Sequence, residues 1–281
     1  MPEFHTDADD ALPLMEAQPW AREKHEELRR YLDISHSVRR KLLALGAGAT
    51  YVELFCGPGR LMLKDDQDFT AFDGSPLVAF RESLRTNTAF TTMHLGDEEP
   101  AFCNAVQKRL QKLGAKVQTY PMRASTAAAR IATSLNGNDL NVAFLDPFNL
   151  GALPFPIIQA FAPLKRMDML VHVSAMDLMR QLPSALAGAP TSLDNFAPGW
   201  RSACSGLEDA GEAAQREARG KYIDHWLGLC RLAGFKAAKV WKLIRGQSNQ
   251  PLYWLVLLAK HDLATKFWDE VSKPKQGDMF G

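Results

Sequence analysis

Short apolar segments that alternate with helical segments constrain this chain more than any other feature. Five strand candidates are separated by helix candidates, and they cover residues 50–56, 90–95, 116–122, 141–145 and 168–173. This alternation predicts parallel strands that are joined by helical crossovers. Residues 236–244 and 252–258 then predict a terminal antiparallel hairpin. The sequence therefore predicts an α/β fold with a mostly parallel sheet.

The predicted organisation of the chain has four parts. Residues 1–19 are acidic and contain few large apolar side chains, which predicts a flexible arm, and residues 20–48 predict an N-terminal helical layer. Residues 49–265 predict the main domain, with an insertion at 183–220 that is rich in Ala, Gly, Pro and Ser. An ordered lid and a disordered loop are both open interpretations of this insertion. Residues 266–281 predict a C-terminal tail.

Composition narrows the class of protein. There are 33 Lys and Arg against 32 Asp and Glu, a formal net charge of +1, so any surface that holds nucleic acid must be a local basic patch. Four scattered cysteines predict neither a disulfide framework nor a metal site, and they are Cys56, Cys103, Cys204 and Cys230. No apolar segment is long enough to span a bilayer, so we expect a cytoplasmic protein with no membrane partner.

A glycine-rich turn follows the first strand of the main domain. In doubly wound sheets, ligands bind at the carboxyl ends of the strands, where such a turn presents backbone N–H groups. Gly57 and Gly59 would let the main chain approach a ligand closely, and Glu53 would interact with the amino acid end of a ligand such as S-adenosylmethionine, directly or through water. A tight turn without a ligand is the alternative. The predicted cofactor-binding residues here are Glu53, Phe55, Cys56, Gly57 and Gly59.

A second carboxylate is expected where the second strand ends, because it would accept hydrogen bonds from a ligand ribose. Asp97 ends the strand candidate, whereas Asp73 has the usual spacing but begins a turn. We choose Asp97, with a helix N-cap as its alternative role because Glu-Glu-Pro follows at 98–100. Arg123 and Ala124 follow the third strand, where side chains would approach an adenine ring, and a surface turn is equally open.

The most specific chemical motif is Asp146-Pro147-Phe148 at the end of the fourth strand. Amino-group methyltransferases place an Asp/Asn-Pro-Pro-Tyr/Phe motif there, whose polar groups bind the target amine while the aromatic ring stacks on a flipped base. One proline is missing here, so loop stabilisation by Asp146 is an alternative to a catalytic role. Three basic residues are predicted to contact substrate phosphates, and they are Lys24, Arg60 and Arg245.

The C-terminal tail ends in a short motif. Gln276-Gly-Asp278-Met279-Phe280 resembles the peptide by which bacterial proteins bind the sliding clamp. Two large apolar residues in a polar tail favour a partner pocket. The sequence therefore predicts that this tail is a partner-binding segment.

Several signatures together resemble the three-Cys-motif partner (TcmP) family over roughly residues 20–270. The matching motifs are Lys24-His25 through Tyr31, Glu53-Leu-Phe-Cys-Gly-Pro-Gly59, Gly74-Ser-Pro-Leu77, Leu145-Asp-Pro-Phe148 and Pro251-Leu-Tyr253. This resemblance implies a three-Cys-motif protein as partner. The Gly-Ser-Pro and Asp-Pro-aromatic motifs also resemble, more distantly, the RlmJ-type adenine-N6 methyltransferases. That similarity implies S-adenosylmethionine (SAM) as cofactor, held by Glu53, Gly57, Gly59 and Asp97, with Asp146 facing the acceptor.

Motifs and resemblance together predict a SAM-dependent methyltransferase-like, Rossmann-like sheet with a terminal antiparallel hairpin. The leading functional hypothesis is an N-methyltransferase that acts on nucleic acid, with an adenine N6-type amine favoured. The alternative is a noncatalytic module of the same fold that docks another protein, such as a sliding clamp, through its tail.

Overall fold

The computed structural model describes residues 5–64, 70–207 and 211–272. Its strands are β1 (His5–Thr6), β2 (Pro13–Ala17), β3 (Ala49–Glu53), β4 (Arg60–Leu63), β5 (Ala71–Asp73), β6 (Thr92–Asp97), β7 (Val117–Pro121), β8 (Leu140–Leu145), β9 (Met167–Ser174), β10 (Lys236–Ala237), β11 (Lys242–Arg245) and β12 (Pro251–Ala259). Its helices are α1 (Ala21–Ile34), α2 (His36–Ala44), α3 (Ser75–Arg85), α4 (Pro100–Lys112), α5 (Ala124–Ser134), α6 (Pro156–Ala160), α7 (Ala175–Leu186), α8 (Leu193–Phe196), α9 (Trp200–Ala203), α10 (Glu212–Leu232) and α11 (Asp262–Val271), with a 3₁₀ turn at Leu150–Ala152.

The larger sheet follows the order β10-β12-β9-β8-β3-β6-β7, and β11 also pairs with β12. Strands β7, β6, β3, β8 and β9 are mutually parallel, whereas β12 runs antiparallel to β9, β10 and β11. The predicted terminal hairpin is present, but its first strand, predicted over residues 236–244, is split into β10 and β11, and both pair with β12. The architecture is α/β with mixed parallel and antiparallel pairing, and it is compatible with a Rossmann-like fold.

The central strands are buried on both faces, which explains their continuous apolar sequences. Every residue of β3 and β8 is buried. Tyr51 contributes to the core on the side of α1, α3 and α11, while its neighbour Val52 contributes to the core on the side of α5, α6 and α10. In the sheet, β6 lies beside one edge of β3 and β8 lies beside the other, so the strand order reverses direction at β3. A ligand crevice is expected at the carboxyl ends of these strands.

The N-terminal segment differs from the arm predicted over residues 1–19. In its described part, β1 pairs with β2, and β2 pairs in parallel with β4, which pairs with β5. Buried ion pairs stabilise this small sheet. Arg109 on α4 contacts Asp7 at 3.2 Å and Asp10 at 2.8 Å. The acidic side chains that suggested a mobile arm are therefore the groups that attach it to α4.

The insertion at 183–220 is also more ordered than its composition suggests. Its described residues form the end of α7, all of α8 and α9, and the start of α10. Leu193, Phe196 and Trp200 are buried in the same core as Trp226, and Phe196 stacks on Trp226 at 5.1 Å. Aromatic burial thus packs this segment on one face of the sheet. It forms part of the core, in place of a lid or a disordered loop.

The predicted tail begins too early. Helix α11 runs through Asp262–Val271, and its Trp268 is fully buried and donates a 2.8 Å hydrogen bond to the Val240 carbonyl. The tail residues Gln276, Asp278, Met279 and Phe280 lie outside the described residues. Within the described ranges, no helix combines the length and the apolar character that a membrane span requires.

Candidate functional site

Asp146 lies at the carboxyl end of β8, beside the switch point of the sheet. Its side chain is 17% exposed and both oxygens are engaged, Oδ2 by Lys24 Nζ at 2.5 Å and Oδ1 by His172 Nδ1 at 2.7 Å. Burial alone would raise the pKa of this carboxyl, but the Lys24 ammonium and the His172 hydrogen bond outweigh burial and hold the pKa below its ordinary range. Asp146 is therefore ionised at neutral pH.

His172 lies on β9, directly beside Asp146. The register explains this position, because Leu145 of β8 pairs with Val171 of β9 and the next residue of each strand follows. The imidazole packs on the Tyr253 ring with centroids 4.0 Å apart. Burial lowers the pKa of His172, and Asp146 opposes this shift only in part. The ring is therefore neutral at neutral pH.

The Nε2 atom of His172 is buried and has no hydrogen-bond partner among the residues that the structure describes. Nδ1 faces an ionised carboxylate, which only accepts hydrogen bonds, so Nδ1 carries the hydrogen. In a neutral imidazole, Nε2 then carries the lone pair. His172 Nε2 is therefore a buried acceptor that is unsatisfied within the described part of the chain.

A cavity of about 550 Å³ encloses this cluster. Its walls come from β2 and α1, from the turn after β3, from the loop after β8 and from α7 and β12. The residues that line it include Met15, Trp20, Lys24, Phe55, Cys56, Ser75, Asp146, Pro147, Phe148, His172, Met176, Arg180 and Tyr253. Phe148 is 80% exposed at the rim, while Pro147 is buried. All three residues of the predicted catalytic motif therefore border the cavity.

Glu53, predicted to bind the cofactor, is fully buried and does not line the cavity. It accepts hydrogen bonds from Tyr51 Oη at 2.7 Å and from Ser75 Oγ at 2.5 Å. Burial raises the pKa of Glu53 to about 8, and the two hydroxyl donors offset this only in part. Ser75 lines the cavity, so Glu53 is connected to the cavity wall through its hydrogen bond with Ser75.

The glycine turn and Asp97 form one hydrogen-bonded unit. Gly57 has φ +55° and donates its N–H to Asp97 Oδ2 at 2.9 Å, while Oδ1 accepts the Glu99 N–H at 3.0 Å. The cap of α4 is Glu99, whose side chain accepts the Ala101 N–H. Asp97 therefore ties the turn to the end of β6, and the cap that was its alternative role belongs to Glu99.

The remaining predicted residues are dispersed. Lys24 lines the cavity, but Arg60 pairs with Asp7 and Asp9 in the small sheet, and Arg245 donates to the Asn249 carbonyl within the hairpin loop. Neither of these arginines lines the cavity. Arg123 and Ala124 begin α5, outside the cavity wall, with Arg123 exposed and Ala124 buried. The three basic residues thus do not form one patch.

His172 and Tyr253 are the site residues that the sequence interpretation missed. A signal for His172 existed: it is a lone polar side chain inside an apolar strand, one position before Val173 at the end of the strand candidate. Pairing the ends of the fourth and fifth strands in parallel register would have placed it beside Asp146. In the sequence, Tyr253 is part of the Pro251-Leu-Tyr253 motif of the family resemblance, which gives it no role in the site.

Comparison with known proteins gives structural similarity but no match to a protein family or to a curated protein. One similar solved structure is protein LPL1258 from Legionella pneumophila str. Philadelphia 1, a DUF519 protein, with 14% identity, TM-score 0.48, and coverage of 86% of this chain and 91% of that chain. Another is described as "Conversion of a Disulfide Bond into a Thioacetal Group during Echinomycin Biosynthesis", with 11% identity, TM-score 0.35, and coverage of 83% and 86%. At these TM-scores neither likeness bears on the chemistry, and no sequence match supports the TcmP or RlmJ resemblance.

Proposed function

We propose that this protein is a SAM-dependent methyltransferase that acts on an amino group of nucleic acid, with an adenine N6-type amine as the favoured acceptor. The main support is the position of the cavity at the carboxyl ends of β3 and β8, where Asp146 and the turn after β3 border the same space. Its volume of about 550 Å³ is that of a small-molecule site. The parallel strands β7, β6, β3, β8 and β9 with antiparallel β12 also agree with the methyltransferase-like sheet expected from the sequence.

The residues around the turn are compatible with SAM. Phe55 and Cys56 line the cavity, and Gly57 has no side chain between its backbone and the space beside Met15. Asp97 is not among the lining residues, but each of its oxygens accepts only one backbone N–H and keeps a second lone pair for a ribose hydroxyl. When bound, SAM supplies an electrophilic methyl group.

The chain's own residues position the acceptor. The ionised Asp146 carboxylate accepts a hydrogen bond from the substrate amine, and Lys24 balances its charge inside the cavity wall. Phe148, exposed at the rim, offers a face on which a flipped base stacks. Arg180, 74% exposed on α7, is placed at the same rim for a phosphate. These contacts support orientation as the main contribution to the rate.

The first test is calorimetric titration with SAM and S-adenosylhomocysteine. We expect saturable binding to the wild type and its loss in Gly57→Trp. An added Cβ there already lies 3.3 Å from Met15 Cε, so an indole would push Met15 into the cavity that it lines. Gly220→Trp is the control, since an added Cβ meets no atom within 4 Å there. Absence of binding to wild type would overturn the cofactor assignment and favour the noncatalytic partner module.

The second test is methyl transfer from radiolabelled SAM to mixed-sequence single-stranded DNA and RNA oligonucleotides. Asp146→Asn should lower the rate by at least about 100-fold and leave SAM affinity unchanged, because the neutral amide holds the acceptor amine poorly. Asp224→Asn, an exposed change on α10, serves as the control. Equal rates for Asp146→Asn and wild type would reject the role of Asp146.

The partner hypotheses extend this proposal. A three-Cys-motif protein is the partner implied by the family resemblance, and a sliding clamp is implied by the tail motif. Both stay predictions, since the four motif residues lie outside the described residues.

A further inference from the structure

Exposed apolar side chains are concentrated at the mouth of the cavity. Seven large apolar side chains among the described residues are exposed, and three of them are Phe148 at 80%, Met176 at 50% and Met179 at 37%. Phe148 and Met176 line the cavity, and Met179 lies on the same helix, α7, as Met176. Single exposed apolar residues are common on protein surfaces, whereas a cluster at a cavity indicates a binding surface.

A hydrogen bond brings the two lining residues to the same rim. The buried Asp177 carboxylate, in the first turn of α7, accepts the Leu150 N–H at 3.0 Å. Phe148 precedes Leu150 by two residues in the loop after β8, and Met176 directly precedes Asp177. Ser174 Oγ accepts the Asp177 N–H at 3.1 Å and caps the helix. The loop and the start of the helix are therefore fixed to each other, and their apolar side chains flank one opening.

The chemistry of this opening fits a planar heteroaromatic ring. Phe148 offers an aromatic face, and Met176 offers a thioether, which packs favourably against aromatic rings. Asp146, 17% exposed in the same cavity, is ionised and therefore only accepts hydrogen bonds. A ring with an amino group on its edge can contact both apolar side chains with its faces and the carboxylate with its amine. An aliphatic amine would leave the two apolar side chains without a partner.

We propose that Phe148 and Met176 form a slot that holds one unpaired base, and that the substrate is a single strand or a bulge in place of a regular duplex. This inference rests on the proposed function and names its substrate class. A base enters a slot between two apolar side chains only after it has left its stack, and unstacking costs least for a base that is already unpaired. Met176 is then a residue that determines substrate specificity.

The charges at the opening also favour a single strand. Two Lys or Arg side chains occur among the described lining residues: Lys24, 13% exposed, is paired with Asp146, and Arg180 is 74% exposed. One exposed guanidinium contacts about one phosphate, which is too little to hold the backbone of a duplex. Stacking with a single phosphate contact predicts a shallow salt dependence, with a slope of log K against log salt concentration of about −0.7.

The first experiment measures fluorescence anisotropy with the full-length protein and S-adenosylhomocysteine. The probes are a mixed-sequence single strand, its duplex, the duplex with one bulged adenine, and an abasic strand of equal length. We expect the single strand and the bulged duplex to bind at least about 10-fold more tightly than the other two probes, because stacking on the slot needs a free base. Equal affinity for all four probes would overturn the slot.

The second experiment repeats the single-strand titration with variants. Phe148→Ala should weaken binding about 5- to 100-fold and Met176→Ala about 2- to 10-fold, because each removes one side of the slot. Met176→Leu keeps an apolar side chain and should bind as wild type does. Leu232→Ala removes an apolar side chain that is 87% exposed and does not line the cavity, so it is the control.

Two results of this titration would contradict the inference. Affinities of both alanine variants equal to that of Leu232→Ala would overturn the slot. A loss in Phe148→Ala alone would overturn the role of Met176. Both side chains are exposed, so the alanine variants should fold as wild type does, and their urea midpoints check this.

Methyl transfer measured on the same strands separates this inference from the proposed function. Transfer by wild type that Phe148→Ala and Met176→Ala leave unchanged would overturn the slot and keep the methyltransferase. Slot-dependent binding of the single strand without any methyl transfer would keep the slot and overturn the proposed function. Neither binding nor transfer with any probe would overturn both.

Discussion

Gly59 stands where the turn after β3 touches α4, and no side chain fits there. An added Cβ would lie 2.9 Å from Val106 Cγ2, and the backbone has φ +86°. Gly114, after α4, has the same φ of +86° but meets no atom within 4 Å. The two glycines therefore separate the cost of the backbone conformation from the cost of the collision.

We expect Gly59→Ala to destabilise the protein more than Gly114→Ala. Both substitutions place a side chain at positive φ, which costs on the order of 1 kcal/mol. Only Gly59→Ala also overpacks Val106, which adds about 1–3 kcal/mol. The midpoint and slope of urea unfolding measure the difference, and equal losses would show that the turn moves away from α4 without strain.

Single residues also show how far sequence interpretation reaches into the site. Asp146, Pro147 and Phe148 were identified because their motif is contiguous in sequence, and they border the cavity. Arg60 and Arg245 were chosen by residue type alone, and their partners in the fold are Asp9 and the Asn249 carbonyl. The residue type alone does not show which surface of the fold a basic side chain will reach. There was therefore no reason in the sequence to place these two arginines at the cavity.

At the scale of elements, the guanidinium of Arg109 makes most of the side-chain contacts between α4 and the N-terminal segment. Arg109 donates to Asp7, Asp10 and the Pro13 carbonyl of that segment, and to the Pro58 carbonyl of the glycine turn. The side chain is 3% exposed, so these hydrogen bonds are shielded from solvent. It therefore connects the small sheet, the glycine turn and α4.

We expect Arg109→Met to release the N-terminal segment. The substitution removes the cation that pairs with Asp10 and one of the two that pair with Asp7, which keeps Arg60 at 2.8 Å. Breaking a buried pair outright costs about 3–5 kcal/mol, so we expect a loss below that range. Amide hydrogen exchange over residues 5–17 should accelerate more than exchange in β3. Lys108→Met, an exposed change on the same helix, is the control. Unchanged protection of the segment would show that its strand pairing holds it without Arg109.

The elements divide clearly into predictable and unpredictable ones. Strands such as β3 and β8 were predicted because burial on both faces leaves a continuous apolar sequence. The small sheet was not predicted, because Asp7 and Arg109 are 102 positions apart and no local sequence pattern indicates an ion pair over that separation. Helices α8 and α9 have four residues each, too few to show a helical period.

At the scale of the whole molecule, two buried acids contribute to the response to pH, and Glu53 does so above neutrality. Burial raises the pKa of Glu53 from 4.5 to about 8. Burial likewise raises the pKa of Asp168 from 3.8 to about 6, although the Tyr31 hydroxyl opposes this. The folded protein therefore binds protons that the unfolded chain has released. The stability from these groups is complete below their ordinary pKa values and is lost as pH rises through the raised ones.

We expect the free energy of unfolding to fall between about pH 7 and about pH 8.5, and to fall less in Glu53→Gln. Below this range three buried histidines, whose pKa values burial lowers, act in the opposite direction, and they are His25, His94 and His172. Each pKa unit corresponds to about 1.4 kcal/mol. Gln keeps the shape and can exchange hydrogen bonds with Tyr51 and Ser75 without a charge. Urea unfolding across this range measures the effect, with exposed Glu212→Gln as the control. Parallel pH profiles for wild type and Glu53→Gln would contradict a raised pKa.

The cavity brings together parts of the chain that are synthesised far apart in time. Lys24 meets Asp146 across 122 positions, and Tyr253 reaches the Trp20 carbonyl across 233. A growing chain on the ribosome therefore carries α1 and the glycine turn long before β12 can complete the wall around His172. A product that terminates before β12 therefore lacks Leu252 and Tyr253 and cannot form the complete cavity wall, even though it contains Asp146 and the whole glycine turn.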